Sequence, residues 1–436
     1  MVTAATLRPE WVHELPTGKR PRLVHVNTHS GFGGVAELLR ALVRAQRTRG
    51  LAVGWAVISG TEEFYLQAKR LHRLMHGHDD PTELRAPRQR ALYRSILRPQ
   101  SEWLATQLGP EDIVVLHDPQ TLGMAAELAA TGARVVWHLH VGTDDAAKLA
   151  EIWPFFADDL GHLSDVLATR TAYLPPGWLC PAQRHVLGLA IDPQADKNRP
   201  LAGQEVRTLL AHLGLTGATP APTDGWLDQD APLPADAPVV LQVSRWDPLK
   251  DMLGVQRCFA GLDGHDDAHL VLAGPDPFEV ADDPEGLAVL AEVRSARAAL
   301  PPDRRARIHL AMLSMRRPDR NALLVNALQR RADVVVQKSL EEGFGLTATE
   351  AMFKGKALLA GDTGGLRLQV THGRTGLLVE PTDDHAVRAS LSRLLADREL
   401  RTELGRRAHD EVVARFLMSG LADRYLALVS DRLTVS

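Results

Sequence analysis

Two glutamates, an arginine and a lysine carry the most chemistry in this sequence. Segment Val334–Gly355, VVVQKSLEEGFGLTATEAMFKG, reads as a buried strand ending at Gln337, a loop through Glu342-Gly343-Phe344-Gly345, and a helix starting at once. The two glycines allow close backbone approach to a ligand, and a helix N-terminus offers unpaired N–H groups to an anion. Glu342 and Glu350 flank this turn, and a carboxylate accepts paired hydrogen bonds from neighbouring sugar or ribose hydroxyls. The competing reading is a solvated loop acid and a helix-surface acid. A companion segment, QVSRWDPLKD, delivers Arg245 from a strand end and Lys250 five residues later, at a helix start. Two cations there suit a departing diphosphate. Surface charge partnered by Asp247 and Asp251 is the ordinary alternative.

Other residues carry weaker signals. The loop Gly31–Gly34, GFGG, lacks the GxGxxG dinucleotide fingerprint and is equally a tight turn. His138 and His140 lie two apart on a strand, and His72 and His76 four apart on a helix, either of which could present two metal ligands. Neither pair has a third ligand nearby, so no metal site is expected. His117 and Asp118 sit at a strand end, where a sugar contact competes with loop packing. Trp178, Trp246 and Phe344 could stack on a sugar or base, although most aromatics pack in a core or at its rim.

The elements positioning these residues alternate. A strand Leu23–Val26 runs into the GFGG loop, and a helix follows with Val35, Leu38, Leu39, Leu42 and Val43 on one face. Strands are expected at Val53–Ile58, Ile113–Leu116 and Arg134–Leu139, with helices at Glu63–Met75 and Thr121–Ala130 between them. The pattern restarts with strand Val239–Val243, helix Met252–Leu262 and strand His269–Ala273. It continues through Arg307–Leu310, Ala322–Arg331, Val334–Gln337 and Ala357–Ala360, and from Asp384 the tail reads as helical. Such alternation predicts α/β units built on parallel sheets covered on both faces.

A chain of 436 residues exceeds what one core usually supports. Residues 1–200 are expected as one domain and 238–414 as a second. Between them lies a helix and a Pro/Gly/Asp-rich linker over 201–237, and 415–436 are expected as a C-terminal helix returning to the first domain. Tandem βα domains put a ligand cleft at the sheets' carboxyl ends. The net charge of −4 gives no reason to expect nucleic acid or an anionic membrane as partner. Cys180 and Cys258 are far apart, which suggests neither a disulfide framework nor zinc. The start, MVTAATLRPEW, has no secretory pattern and no apolar run is long enough to span a bilayer, so a cytoplasmic protein is expected.

Together these motifs resemble the GT-B retaining glycosyltransferases of family 4. Glu342 to Glu350 reproduces that family's E-x7-E signature, and Arg245 and Lys250 match its Arg/Lys pair. Several stretches are similar to the trehalose glycosyltransferring synthases within it: GFGGVAELL, HDPQ, IDPQADKN, DDPEG and GGLRLQV. The resemblance implies two Rossmann-like domains facing each other across a cleft. It also implies a donor of the UDP-, ADP- or GDP-glucose type, and transfer of glucose or a related hexose to a sugar acceptor, giving trehalose or a similar disaccharide. Glu350 would hold the ribose, and Glu342 would face the transferred sugar. The amides of Phe344, Gly345 and Leu346 would contact sugar or phosphate, and Arg245 and Lys250 would stabilise the leaving diphosphate. Gly33 and Gly34 would let the first loop close on the donor, and His140 would lie near the reacting sugar. His117 and Asp118 are acceptor-side candidates. No cofactor is required. Mg2+ at the diphosphate stays open, although no DxD-type motif indicates it, and a homodimer stays open too. The chain departs from the family pattern around His138–Asp144, so an aminosugar or cyclitol acceptor is an alternative. So are a trehalose-type phosphorylase using sugar 1-phosphate and a non-catalytic sugar-binding protein.

Overall fold

The computed structural model describes residues 7–18, 21–31, 34–177, 184–217, 224–280 and 284–430. The chain divides into two compact units, Met1–Ala190 with Met418–Ser436, and Ile191–Leu417. Each is a seven-stranded α/β sheet flanked by helices. The first passage between units therefore lies ten residues before the change in composition at Leu201. The reason is packing: Asn326 Nδ2 donates to the carbonyls of Asp196 at 2.8 Å and Arg199 at 2.9 Å, which ties that segment to the second unit.

In the first unit the strands are β1 (Glu10–His13), β2 (Arg22–Asn27), β3 (Ala52–Val57), β4 (Ile113–His117), β5 (Arg134–Leu139), β6 (Asp165–Ala168) and β7 (Arg184–Val186). Their order is β1-β3-β2-β4-β5-β6-β7. β2 and β4 are buried along their whole length, as expected of strands covered on both faces. The sheet is mixed rather than wholly parallel, because β1 pairs antiparallel with β3. Helix Gly34–Thr48 buries Ala36, Leu38, Leu39, Leu42, Val43 and, unexpectedly, Gln46. Helix Met418–Ser430 packs on it, burying Leu421, Ala422 and Tyr425. The stretch read as helix Thr121–Ala130 is a 3-10 turn, Leu122–Met124, followed by one short helix, Ala125–Ala129. Helix Pro87–Ala105 had no clear sequence signal, since Pro99 stands inside it and an internal proline argues against a helix.

The second sheet comprises β8 (Gly225–Asp228), β9 (Val239–Val243), β10 (His269–Pro275), β11 (Ile308–Leu313), β12 (Val334–Gln337), β13 (Ala357–Gly361) and β14 (Leu377–Val379), in the order β14-β13-β12-β9-β10-β11-β8. The segment expected as helix and linker contributes more than a connection. Helix Gly203–His212 packs on helix Pro318–Arg331, and β8 adds an antiparallel edge beside β11. Trp226 holds that edge strand in place, its indole N–H donating to Asp276 Oδ2 at 3.0 Å. Among the described residues, no helix is long and apolar enough to cross a membrane.

Close approach fixes the packing behind the crossover that joins the parallel strands β12 and β13. Gly405, on helix Arg398–Arg415, lies so near the turn after helix Leu346–Phe353 that a Cβ would overlap the Gly355 carbonyl. Gly405→Ala should therefore destabilise the second unit by about 1–3 kcal/mol, as overpacking does. A lower urea midpoint with unchanged m-value would show it, and an unchanged midpoint would contradict it.

Candidate active site

In the second unit, β9 and β12 are parallel neighbours, so the loops leaving their carboxyl ends lie side by side. Asp247 accepts from the Leu249 N–H at 2.9 Å and shapes the turn that delivers Lys250. Gln242 Nε2 donates to the Lys250 carbonyl at 2.7 Å. Lys250 Nζ then reaches Glu342 Oε2 at 2.7 Å, with the two side chains only 16% and 11% exposed. The same oxygen accepts from Ser339 Oγ at 3.0 Å and Gln337 Nε2 at 3.4 Å. Asp251, expected as a partner for Lys250, pairs with Lys338 instead and also caps the following helix through the Gly254 N–H. Lys338 is buried, and sequence reasoning passed over it although it stands inside the most informative segment.

Beyond Glu342 the chain turns at Gly345, whose φ of +89° favours glycine. An added Cβ there would press on Leu366 Cδ2 at 3.0 Å and Glu342 Cγ at 3.1 Å. Helix Leu346–Phe353 starts at this turn with no side-chain cap, so its first amides are not satisfied by a capping side chain. Gln369 donates to the Phe344 carbonyl and accepts from Thr349 Oγ1 at 2.6 Å, bracing the turn from behind. The Phe344 ring is buried, edge-on to Phe416 at 5.7 Å, so its side chain belongs to the core. Trp246 is likewise buried, with its indole N–H on the Pro275 carbonyl at 2.9 Å.

Glu350 is 3% exposed and is not the surface acid of the competing reading. One turn on, Lys354 Nζ donates to the Glu350 carbonyl at 3.2 Å, Gln329 Oε1 at 2.8 Å and Asn198 Oδ1 at 3.2 Å. Burial pulls the Lys354 ammonium down to about 7, against the opposing pull of Glu350. Arg245 differs from these buried groups: its side chain is 65% exposed and paired with Asp247 at 2.7 Å, which is the surface pairing that its sequence context allowed.

The first unit holds a different kind of site. Gly33 and Trp178 lie outside the described residues. Gly34 begins its helix in open space, and Arg40 donates to the carbonyls of Ser30 and Gly31, bracketing the preceding loop. Behind that loop, His25, His117, His138 and His140 are all buried. His117 Nε2 meets His25 Nδ1 at 2.9 Å, and its Nδ1 meets His140 Nε2 at 2.8 Å. His25 Nε2 meets Gln46 Oε1 at 3.0 Å, and His138 Nδ1 meets the Tyr425 hydroxyl at 2.5 Å. Asp118 turns beside them at φ +62°. That conformation is held at three points: the Asp118 N–H donates to the His138 carbonyl at 3.0 Å, its carbonyl accepts from Trp137 Nε1 at 3.0 Å, and its carboxylate accepts from the His140 N–H at 2.8 Å. Burial holds His25 down to about 4 and His140 down to about 3, with His117 and His138 also well below the usual range. Burial pushes Asp118 the other way, up to about 7.

His117, His138 and His140 form the one group of metal-ligand type among the described residues, with nitrogens within 4.8 Å of one another. His117 already spends both ring nitrogens on His25 and His140, so a metal would have to break one of those bonds. The expected pair His138 and His140 is thus brought together, joined by His25, Gln46 and Tyr425, whose types alone gave no functional signal. His72 and His76 stack edge-on, with ring centres 4.9 Å apart.

Residues 25–175 match the family described as trehalose synthase, N-terminal domain, and residues 319–411 match the glycosyl transferases group 1. The chain is 33% identical to a trehalose synthase of Rubrobacter xylanophilus over 420 residues, covering 95% of this chain and 91% of that one. It is 30% identical to a trehalose synthase of Thermococcus litoralis, with 95% and 91% covered. Among solved structures, an α,α-trehalose 6-phosphate synthase of Burkholderia multivorans superposes with a TM-score of 0.71 at 15% identity, over 95% of this chain and 99% of that one. That likeness concerns the fold, which is GT-B with two Rossmann-like units.

The histidine cluster sets a pH dependence. A histidine whose pKa is lowered on folding stabilises the fold above 6.5, and that stability is lost as pH falls toward the folded value. Asp118, raised on folding, acts oppositely: its contribution is complete below 3.8 and is lost as pH rises through about 7. Near pH 5, unfolding should therefore take up about three protons from this cluster, and stability should fall by about 1.4 kcal/mol per pH unit per proton. Urea midpoints measured from about pH 7.5 to about pH 5 check this. His117→Phe should lower the uptake by about one proton, and an unaltered pH slope in that variant would contradict the assignment.

Proposed function

We propose, from the premise that this chain belongs to the trehalose synthase family of glycosyltransferases, that it moves glucose from a nucleoside diphosphate glucose to glucose or a close analogue. The buried Lys250–Glu342 pair beside the uncapped helix start at Leu346 is the observation that carries this reading. Cleaving the anomeric bond leaves negative charge on the diphosphate and positive character on the sugar, and a fixed cation, a fixed carboxylate and oriented N–H dipoles complement both. Lys250 and Arg245 take the diphosphate, with Arg245 exchanging its Asp247 partner for phosphate oxygens. The amides of Phe344, Gly345 and Leu346 add hydrogen-bond donors, Glu342 receives the hydroxyls of the transferred glucose, and Glu350 those of the ribose. Gly33 and Gly34 are assigned to the donor, His140 to the reacting sugar, and His117 and Asp118 to the acceptor.

The resemblance to the retaining glycosyltransferases of family 4 implies attack on the same face as departure, and we assign retention to that course. The acceptor oxygen bonds to C1 as the C1–O bond to phosphate breaks, and the acceptor's proton passes to the leaving phosphate oxygen. An α,α-linked disaccharide results. The ribose contact assigned to Glu350 favours a nucleotide donor over the sugar 1-phosphate of a phosphorylase, which carries no ribose.

Incubation with UDP-, ADP- and GDP-glucose, and separately with glucose 1-phosphate, against glucose, aminosugar and cyclitol acceptors tests this. Mass and anomeric coupling should identify an α-linked product from a nucleotide donor. Lys250→Ala and Arg245→Ala should each lower kcat about a hundredfold. A β product would refute the stereochemical assignment, and an unchanged rate at saturating donor in either variant would refute the role of that residue.

A further inference from the structure

The four buried imidazoles of the first unit are not equivalent, because hydrogen bonds give three of them a direction. His25 stands on β2, His117 ends β4 and His140 follows β5, so the contacts run across three neighbouring parallel strands. The series begins at Gln46, on helix Gly34–Thr48, whose Oε1 faces His25 Nε2 at 3.0 Å. A carbonyl oxygen only accepts, so His25 carries its proton on Nε2 and offers a lone pair at Nδ1. His117 must then donate from Nε2, at 2.9 Å, and accept at Nδ1. His140 must in turn donate from Nε2, at 2.8 Å. Every ring stays neutral, which burial of all four enforces. His140 Nδ1 is left as a buried lone pair with no hydrogen-bond partner among the described residues. The rings of His117 and His140 lie within 2° of parallel, and the Asp118 carboxylate holds the His140 backbone N–H at 2.8 Å, so that lone pair has a fixed direction.

We propose that Gln46, His25 and His117 are positioning residues that lock His140 in its Nε2–H tautomer, making its Nδ1 an acceptor for a hydroxyl proton of the sugar. This rests on the reading that His140 contacts sugar. An acceptor at that point matches a neutral hydroxyl and is mismatched to phosphate or carboxylate, so the relay selects for the chemical class of ligand group as well as its position. A buried amide two imidazoles away thereby sets the hydrogen-bonding sense of a residue it does not touch.

Nitrogen-15 spectra of histidine-labelled full-length protein at near-neutral pH report the tautomer directly, with His140 identified by the signals lost in His140→Gln. Wild-type His140 should show a protonated Nε2 and a bare Nδ1. Gln46→Met, which removes the acceptor at nearly constant volume, should populate both tautomers, and His25→Phe, which interrupts the series, should do the same. In the transfer assay both variants should lose kcat by about tenfold or more, comparable to the loss when the hydrogen-bond partner that orients a metal-bound histidine is removed, with donor KM nearly unchanged. A wild-type His140 protonated on Nδ1, or a tautomer unaltered in both variants, would overturn the relay. Normal tautomer behaviour in a protein that transfers no glucose would instead sink the sugar reading and leave the relay standing.

Discussion

The contact between Lys250 and Glu342 joins two loops that leave neighbouring strands, and the shape of the second unit's site follows from it. Taking both charges out of water is unfavourable unless the remaining lone pairs and protons find partners. Here Ser339 and Gln337 occupy the carboxylate oxygen that Lys250 also reaches, and Gln242 holds the lysine's backbone carbonyl. The Glu342 carbonyl in turn accepts from the Gly365 N–H at 2.8 Å, tying the loop to the next βα connection. Gly365 has no room for a side chain, since a Cβ would overlap the backbone of Gly343 and Phe344. The loop is thus fixed from both sides, and the helix start at Leu346 points its amides in one direction.

The first unit solves a different problem with different chemistry. Its buried histidines are neutral and linked by directional hydrogen bonds, and the nearby carboxyl of Asp118 is drawn toward its neutral form. Burial alone would leave many polar groups unsatisfied, and each ring has at least one hydrogen bond to another ring, an amide or a hydroxyl, although His140 Nδ1 has none among the described residues. Tyr425, brought by helix Met418–Ser430, supplies one of those partners. One unit thus buries a paired charge and the other a set of neutral polar groups, each satisfied within its own fold.

The helix at Gly34–Thr48 shows how packing draws an ordinary residue into a buried polar series. Its apolar stripe was legible as period-3.6 spacing, whereas Gln46 on the same face would ordinarily be assigned to solvent. It is fully buried because the opposing strand presents His25, which needs an acceptor. Lys338 is a parallel case in the second unit, a lysine placed under the loop because Asp251 meets it there. In both, the demand comes from a residue distant in sequence.

From the sequence alone one could read the alternation of strands and helices, the glycine turn at residues 343–345, and the Glu342, Glu350, Arg245 and Lys250 set. These are local patterns, since hydrophobic period and turn chemistry are written in consecutive residues. The two antiparallel edge strands, the helix through Pro99 and the place where the units divide were not legible, because weak local signals there are overridden by packing. Lys250 pairing with Glu342, 92 residues away, and the series Gln46–His25–His117–His140 depended on strand order and register. Those are properties of the assembled sheets: only when β9 lies beside β12, and β2, β4 and β5 lie in sequence, do these side chains come within hydrogen-bonding distance.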